Sequence, residues 1–229
     1  MAPKPEYKVG PMPAQIAPAV VAKLVRVETA TVGHWRHWGF MDRRIQPLLP
    51  EKRVAGTAVT VAIPAQDSTL LHHALGLLRP GDILVVDRLG DDKHACWGGG
   101  VTVAAKAAGA AAGIVDGPCT DLSEIREREF PVWCRGLSPI TTRLYNLGGT
   151  LNFPVSCGGV VVRPGDAILA DESGVLVLDP AEAEAIADEA LARQARGLER
   201  QAQVRAGKKL GDLSGATAMV LAALKEPQG

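Results

Sequence analysis

Two short stretches combine residue types and spacing that can do chemistry. Trp97-Gly98-Gly99-Gly100 leads into an alanine-rich segment, and Asp116-Gly117-Pro118-Cys119-Thr120-Asp121 follows an apolar run. A glycine turn that opens a helix lets backbone N–H groups converge on an anion, with the positive end of the helix dipole behind them. The carboxylate of a small oxoacid suits such a nest, with Gly98, Gly99, Gly100 and Val101 as the substrate-binding positions. The competing reading of these glycines is that they simply let the turn pass close beneath neighbouring structure. Asp121 stands beyond the C-terminal end of an expected strand, where open α/β sheets place ligands. A sparse acidic site suffices for Mg2+, which accepts one or two carboxylates and keeps several waters, so Asp121 is the candidate metal ligand. Its competing role is to cap a helix starting at Leu122, with Glu124 completing the first turn.

Other groups flank these stretches. Histidine titrates near neutrality and serves as metal ligand or general base. His34, in Val32-Gly33-His34-Trp35, is the foremost of four such candidates, the others being His72, His73 and His94. Arg88 and Lys93 lie near the glycine turn and offer positive charge. Asp67 reads as the cap of a following helix, and Asp91-Asp92 as a solvated turn.

The elements that must position these residues alternate along the chain. A helix is expected over Ile16–Val25, a strand over Val54–Ile63, a helix over Ser68–Leu78 and a buried strand over Ile83–Asp87. Val101–Ala112 should be a helix ended by Gly113, followed by the strand Ile114–Asp116, a helix over Leu122–Arg128 and a strand over Phe130–Trp133. This alternation predicts α/β architecture with parallel pairing in the middle third. Short strands at Gly159–Val162, Ala167–Ala170 and Val175–Leu178 then give a β-rich layer. Asp179 as N-cap and Pro180 in the first turn open a long helix to about Ala206. Residues 1–12 read as a flexible arm, 13–207 as one domain including the C-terminal helix, and 208–229 as a tail.

With 25 Lys and Arg against 25 Asp and Glu, the chain has no net field to hold nucleic acid or an anionic membrane. Aromatics at 4% also argue against base-stacking platforms. Cys96, Cys119, Cys134 and Cys157 form no CxxC pair, so free thiols are expected. The N-terminus lacks a continuous apolar h-region and no run reaches the roughly eighteen apolar residues of a membrane span, which predicts a cytoplasmic protein.

From about Val20 to Gly207 the chain resembles the RraA-like family, which includes divalent-metal-dependent 4-hydroxy-4-methyl-2-oxoglutarate and 4-carboxy-4-hydroxy-2-oxoadipate aldolases. The landmarks are Gly56-Thr57-Ala58-Val59-Thr60-Val61, Pro80-Gly81-Asp82 with Val85-Val86-Asp87, Trp97-Gly98, Asp116-Gly117, Gly158-Gly159-Val160, Pro164-Gly165-Asp166, and Asp171 with Gly174-Val175. The resemblance implies an α/β fold of the layered β/β/α swivelling type with a C-terminal helix, in trimers or hexamers with sites between subunits. It implies Mg2+ or Mn2+ on Asp121, a pyruvate carboxylate on the amides of Gly100 and Val101, and a neighbouring subunit's C-terminal glutamate, matching Glu199, near the metal. The aldolase signature is an acidic residue, twenty intervening residues, then Arg-Asp. Here Gly99 stands at the acidic position and Thr120 at the arginine. The expected function is a metal-dependent lyase on a small 2-oxoacid, by retro-aldol cleavage or decarboxylation, with Asp121, Thr120, His34 and Arg88 as its catalytic candidates. Two alternatives are a hydrolase of a small lactone or amide at the same site, and a non-catalytic protein-binding regulator.

Overall fold

The computed structural model describes residues 4–225; the outer ends of the expected arm and tail, 1–3 and 226–229, lie outside the described residues. In chain order the first elements are β1 (Tyr7–Val9), α1 (Pro18–Leu24), α2 (Thr29–Val32), β2 (Gln46–Pro47), β3 (Val54–Ala62) and α3 (Thr69–Leu75). Then come β4 (Asp82–Asp87), α4 (Gly99–Ala107), β5 (Ala112–Val115), α5 (Leu122–Glu127) and β6 (Val132–Cys134). The last third holds β7 (Gly149–Leu151), β8 (Val155–Cys157), β9 (Val160–Val162), β10 (Ala167–Asp171), β11 (Gly174–Leu178), α6 (Pro180–Arg205), α7 (Leu210–Ser214) and α8 (Ala216–Ala223).

The main sheet runs β1-β7-β3-β4-β5-β6-β2, with β10 also on β3 and β11 on β10; β8 and β9 form a separate hairpin. Strands β3 to β6 are parallel, as the alternation predicts. β4 and β5 are buried at every position, because both faces of this sheet are covered. Successive side chains of a strand point to opposite faces, so Val59 and Val61 pack with Leu71, Leu75, Val101 and Ile125 beneath the helices α3, α4 and α5. Ala58, Ile83, Val85 and Ile114 face the other way, onto Val155, Cys157, Val162, Ile168 and Val175 of the β-rich layer. The result is a β/β/α layering. A third cluster joins β10 and β11 to α1, α2 and α6 through Leu24, Val32, Leu169, Leu176 and Ala187.

The aspartates of the landmark motifs pin turns. Asp82 accepts from the Arg79 N–H at 2.8 Å, Asp87 from Leu89 at 2.7 Å, Asp116 from Gly158 at 2.8 Å and Asp166 from Arg163 at 2.8 Å. Asp171, fully buried, accepts from both the N–H and the hydroxyl of Thr29, which docks α2 on the sheet.

Three local expectations change. Part of the arm is a strand, since Tyr7–Val9 pairs parallel with Gly149–Leu151 and so extends the sheet edge. Helix α4 begins two residues earlier than expected, with Gly99 and Gly100 as its first turn, and the left-handed residue after it is Gly109. Gly113 is not a helix terminator but lies inside β5, where an added Cβ would come 2.5 Å from the Trp97 ring. The long C-terminal helix is as expected, with the Asp179 carboxylate accepting from Ala181 N–H at 2.8 Å.

Candidate functional site

The loops after β3, β4, β5 and β6 gather at one end of the parallel sheet. The turn before α4 and the turn before α5 are locked together by Thr120 N–H donating to the Trp97 carbonyl at 2.8 Å. Trp97 itself is fully buried, donates from Nε1 to Thr102 Oγ1 at 3.0 Å and stacks on Phe130. It is the post on which the glycine turn is mounted.

Asp121 sits in the left-handed region, φ 53°, which an aspartate tolerates better than most residues. That conformation has a consequence for capping. Asp121 occupies the N-cap position of α5, yet its side chain makes no bond to that helix. Instead its Oδ2 accepts from Gly99 N–H at 2.9 Å, so the carboxylate sits on the N-terminus of α4. Thr120 Oγ1 donates to the other oxygen, Oδ1, at 3.2 Å. Gly98 is required for this approach, because a Cβ there would overlap Asp121 Oδ2 and stand 2.8 Å from the Thr120 methyl.

Among the described residues, the N–H groups of Gly100 and Val101 have no protein acceptor, the first intrahelical bond being Thr102 N–H to Gly98 carbonyl. Two donors therefore point from the start of α4 beside an exposed carboxylate. A second carboxylate is close: a Cβ on Gly99 would collide with that of Glu124. The acidic side chain lacking at Gly99 thus has a neighbour in its place, from the first turn of α5.

These groups open into a cleft of about 710 Å³. Gly98, Gly100, Val101, Thr120 and Asp121 are at one end; Leu75, Ala104 and Cys96 contribute apolar wall; Ser68, His72, Thr141, Thr142 and Arg143 also line it. Burial pushes the Cys96 thiol up to about 11, which leaves it protonated and weakly nucleophilic at neutral pH. Among the described residues no group of three or more His, Cys, Asp or Glu has a metal-binding arrangement. The carboxylates beside the glycine turn are those of Asp121 and Glu124.

The structure thus brings together the glycine turn, Val101, Thr120 and Asp121, but not the other candidates. Arg88 is fully buried behind the turn, where Nη2 donates to the Ala65 and His94 carbonyls and pairs with Asp91 at 3.6 Å. It holds a loop and does not line the cleft. His34 follows α2, which packs on β10, β11 and α6. Thr29 of the same helix binds Asp171, at the end of β10 that lies beyond the start of β3, whereas the cleft is at the far end of the parallel strands. Glu199 is exposed on α6, which packs on α1 and α2. His94 is engaged by Asp91 at 2.8 Å. His72 does line the cleft, and Asp67 does cap α3, accepting from Thr69 N–H at 3.0 Å.

Sequence reasoning missed Arg143. The signal was available in principle: Ser138-Pro139-Ile140-Thr141-Thr142-Arg143 follows the fourth parallel strand, on the ligand-binding side of such sheets.

Comparison with known proteins decides the family. The model of the RraA-like family, described as Aldolase/RraA, matches residues 29–177. The chain belongs to the RraA-like family. The glycine turn and Asp121 fall inside the match and Glu199 outside it. A Halalkalibacterium halodurans protein named as a candidate 4-hydroxy-4-methyl-2-oxoglutarate aldolase is 36% identical over 151 residues, covering 66% of this chain and 71% of that protein. The crystal structure of Streptomyces coelicolor RraAS2, described as an unusual member of the RNase ES inhibitor RraA protein family, superposes with TM-score 0.72 at 29% identity. It covers 83% of this chain and 98% of RraAS2. An uncharacterized Pseudomonas syringae protein shares the fold, with TM-score 0.77 at 20% identity over 90% of this chain and 98% of its own. The family members thus confirm the layered α/β fold with its C-terminal helix. Among the described residues no helix is long and apolar enough to cross a membrane.

Proposed function

We propose that this protein is a Mg2+- or Mn2+-dependent lyase that cleaves a small 2-oxoacid by retro-aldol reaction or decarboxylation. One observation carries the reading: the exposed Asp121 carboxylate stands beside two unpaired N–H donors at the start of α4, in an open cleft. The family relative from Halalkalibacterium halodurans supports the same chemistry by its name.

In this reading the Gly100 and Val101 N–H groups hold the substrate carboxylate, and Asp121 with Glu124 holds the cation. Two carboxylates are a fitting donor set for a hard ion that retains water. A cation held by these carboxylates would supply Lewis acidity toward a keto oxygen. Thr120 orients Asp121 through its hydroxyl, but a neutral hydroxyl does not replace a guanidinium at the developing charge. Losing such a donor costs on the order of 10²–10³ in rate, so a slow enzyme is expected.

A second copy of the chain belongs to this proposal, as a trimer or hexamer in which Glu199 reaches a neighbour's site. Helix α8 supports it: no residue of α8 is buried, and Met219, Val220 and Leu221 are all exposed. The test is turnover of oxaloacetate and 4-hydroxy-2-oxoacids by purified protein with Mg2+ or Mn2+, read as pyruvate released. Product that disappears on chelation supports the reading; substrates left intact under both metals sink it. Inertness would favour the second reading, a protein-binding regulator, which the likeness to RraAS2 supports.

A further inference from the structure

Three of the four free thiols lie in one layer. Cys96, Cys119 and Cys134 stand at or beyond the ends of β4, β5 and β6 in the helix-side core, whereas Cys157 is on the other face of the sheet. Two of the three are joined through one glycine. The Gly136 carbonyl accepts from Cys119 N–H at 2.9 Å and from the Cys134 thiol at 3.2 Å, and Arg135 N–H donates to the Gly117 carbonyl at 2.9 Å. Neighbouring strands lie about 4.8 Å apart, inside the range of Cα separations that a disulfide spans. The Cys119 thiol also donates to Cys134 Sγ, so the two sulfurs are in direct contact.

The pair is asymmetric. The hydrogen bond from Cys119 holds the Cys134 thiol below its ordinary pKa against the effect of burial, while burial and the same bond raise Cys119. The thiolate is the form that attacks oxidants, which makes Cys134 the attacking sulfur and Cys119 the resolving one. Both are fully buried, but their cover is thin. Thr120, Arg135 and Gly136 next to them in the chain are only half-buried, and space is open on the Cβ side of Gly136. A hydroperoxide is small enough to enter by a local opening of that turn.

We propose that Cys134 and Cys119 are a reversible dithiol couple that a hydroperoxide closes to a disulfide, and that closure displaces the turn carrying Asp121. Cys134 Sγ takes one oxygen of the peroxide as the O–O bond breaks, giving a sulfenic acid and one water. Cys119 Sγ then attacks the sulfenic sulfur, the S–O bond breaks, and the hydroxyl leaves with the Cys119 proton as a second water. Two thiols are oxidised and one peroxide is reduced; an external dithiol reverses the step by exchange. The new bond draws the sulfurs to roughly 2 Å. Cys119 directly precedes Thr120 and Asp121, and it pairs with Trp97 on one side and Leu137 on the other. A pull toward β6 therefore strains the Thr120 N–H bond to the Trp97 carbonyl and the Asp121 bond to Gly99 N–H. The inference does not depend on the reaction catalysed in the cleft.

The test treats the native protein with hydrogen peroxide, alkylates the remaining thiols after unfolding and maps the peptides without reduction. A Cys119–Cys134 link should dominate, with Cys96 and Cys157 recovered alkylated, and dithiothreitol should reverse it. Cys119→Ser should instead leave a sulfenic acid at Cys134 that dimedone captures. No link in the unaltered protein, or a link between other cysteines, overturns the proposal, and the peptide map of the unaltered protein needs no variant to fold. Hydrogen exchange tests the coupling: the amides of residues 119–121 should exchange about tenfold faster in the linked form. Unchanged exchange there overturns the displacement of the turn. With Mg2+ present, affinity for oxalate, a small dianion that probes the Asp121 end of the cleft, should fall on oxidation. Oxalate that binds neither form counts against the lyase reading alone, since the peptide map and the exchange decide this one.

Discussion

The Glu124 carboxylate fills the space that a side chain on Gly99 would need. The two positions are therefore alternatives for one acidic group beside Asp121. Glu124 is exposed, so its flexible end can swing away, and Gly99→Asp should change stability by only about 0.5 kcal/mol. If Glu124 helps hold the cation, Glu124→Ala should weaken Mg2+ binding, and adding Gly99→Asp should restore it. Calorimetric titration checks both steps. Unchanged Mg2+ affinity in Glu124→Ala removes Glu124 from the site.

Asp121 has a structural role as well as its proposed chemical one, because it caps α4 through Gly99. Asp121→Asn retains an oxygen that can accept this bond, and asparagine also tolerates the left-handed backbone. It should keep the melting temperature near that of the unaltered protein while losing Mg2+ binding. Asp121→Ala loses the cap as well and should cost about 1–2 kcal/mol. Thermal unfolding beside Mg2+ titration separates the two roles; an Asn variant that binds Mg2+ normally rules out the carboxylate as ligand.

Arg88 and His34 should respond in opposite ways. Arg88→Met leaves the Ala65 and His94 carbonyls and Asp91 without their buried partner, at a cost of about 3–5 kcal/mol. His34→Ala, at an exposed position, should alter neither the unfolding midpoint nor oxalate binding by a single chain's cleft. Urea unfolding of the two variants tests the contrast. An Arg88 variant of normal stability but lost ligand affinity would return that residue to the site.

What the sequence disclosed and what it concealed divide along local and non-local lines. The strand–turn–helix around Trp97 and the Asp121 turn were legible because glycines, apolar runs and the strand-end position are read from neighbours in the chain. The parallel strands were legible for the same reason, β3 from its alternating, β-branched pattern and β4 from its apolar run. Asp121 capping α4 instead of α5 was not legible, since it depends on two loops meeting after β4 and β5. The Glu124 contact with Gly99 has the same origin. Arg143 needed still more, namely a segment crossing three strands before its side chain reached the cleft. Arg88 misled because nearness along the chain to the glycine turn does not distinguish lining a cleft from being buried behind it.

Asp67 ties the Arg143 segment to α3, accepting from Thr69, Tyr145 and Leu147 N–H groups and from the Thr69 hydroxyl. Burial pushes its carboxyl up, but these hydrogen bonds outweigh that and hold it below the ordinary aspartate value. A lowered folded-state pKa means that the stabilisation is complete above pH of about 4 and is lost as pH falls through the lowered value. Asp67→Asn should flatten that acid limb of the stability curve. Asp67→Ala, which removes the acceptor of four part-buried hydrogen bonds, should cost about 1–3 kcal/mol at neutral pH. An acid limb identical in the Asn variant would show that the carboxylate is not what the pH acts on.

The buried thiols set the opposite limb. Burial raises Cys96 to about 11 and raises Cys119 and Cys157 as well, whereas the hydrogen bond from Cys119 lowers Cys134. A raised folded-state pKa keeps the proton on in the native protein, while unfolded thiols release theirs near pH 8.5, so about that pH marks the start of the decline. Stability from these groups is complete below that point and falls as pH rises toward the folded-state values. Urea midpoints should hold steady from pH 7 to 8 and drop through the alkaline range, and Cys157→Ala should shallow the drop even though it also lowers the plateau. The same shift governs reactivity at the cleft. Cys96 faces the cavity, but at pH 8 only roughly one thiol in a thousand is ionised at that site. Iodoacetamide should therefore label it far more slowly than an unburied cysteine, and faster as pH rises. Labelling at the rate of a free thiol at pH 8 would show that the Cys96 wall opens to water and is not the apolar surface the ligand would meet.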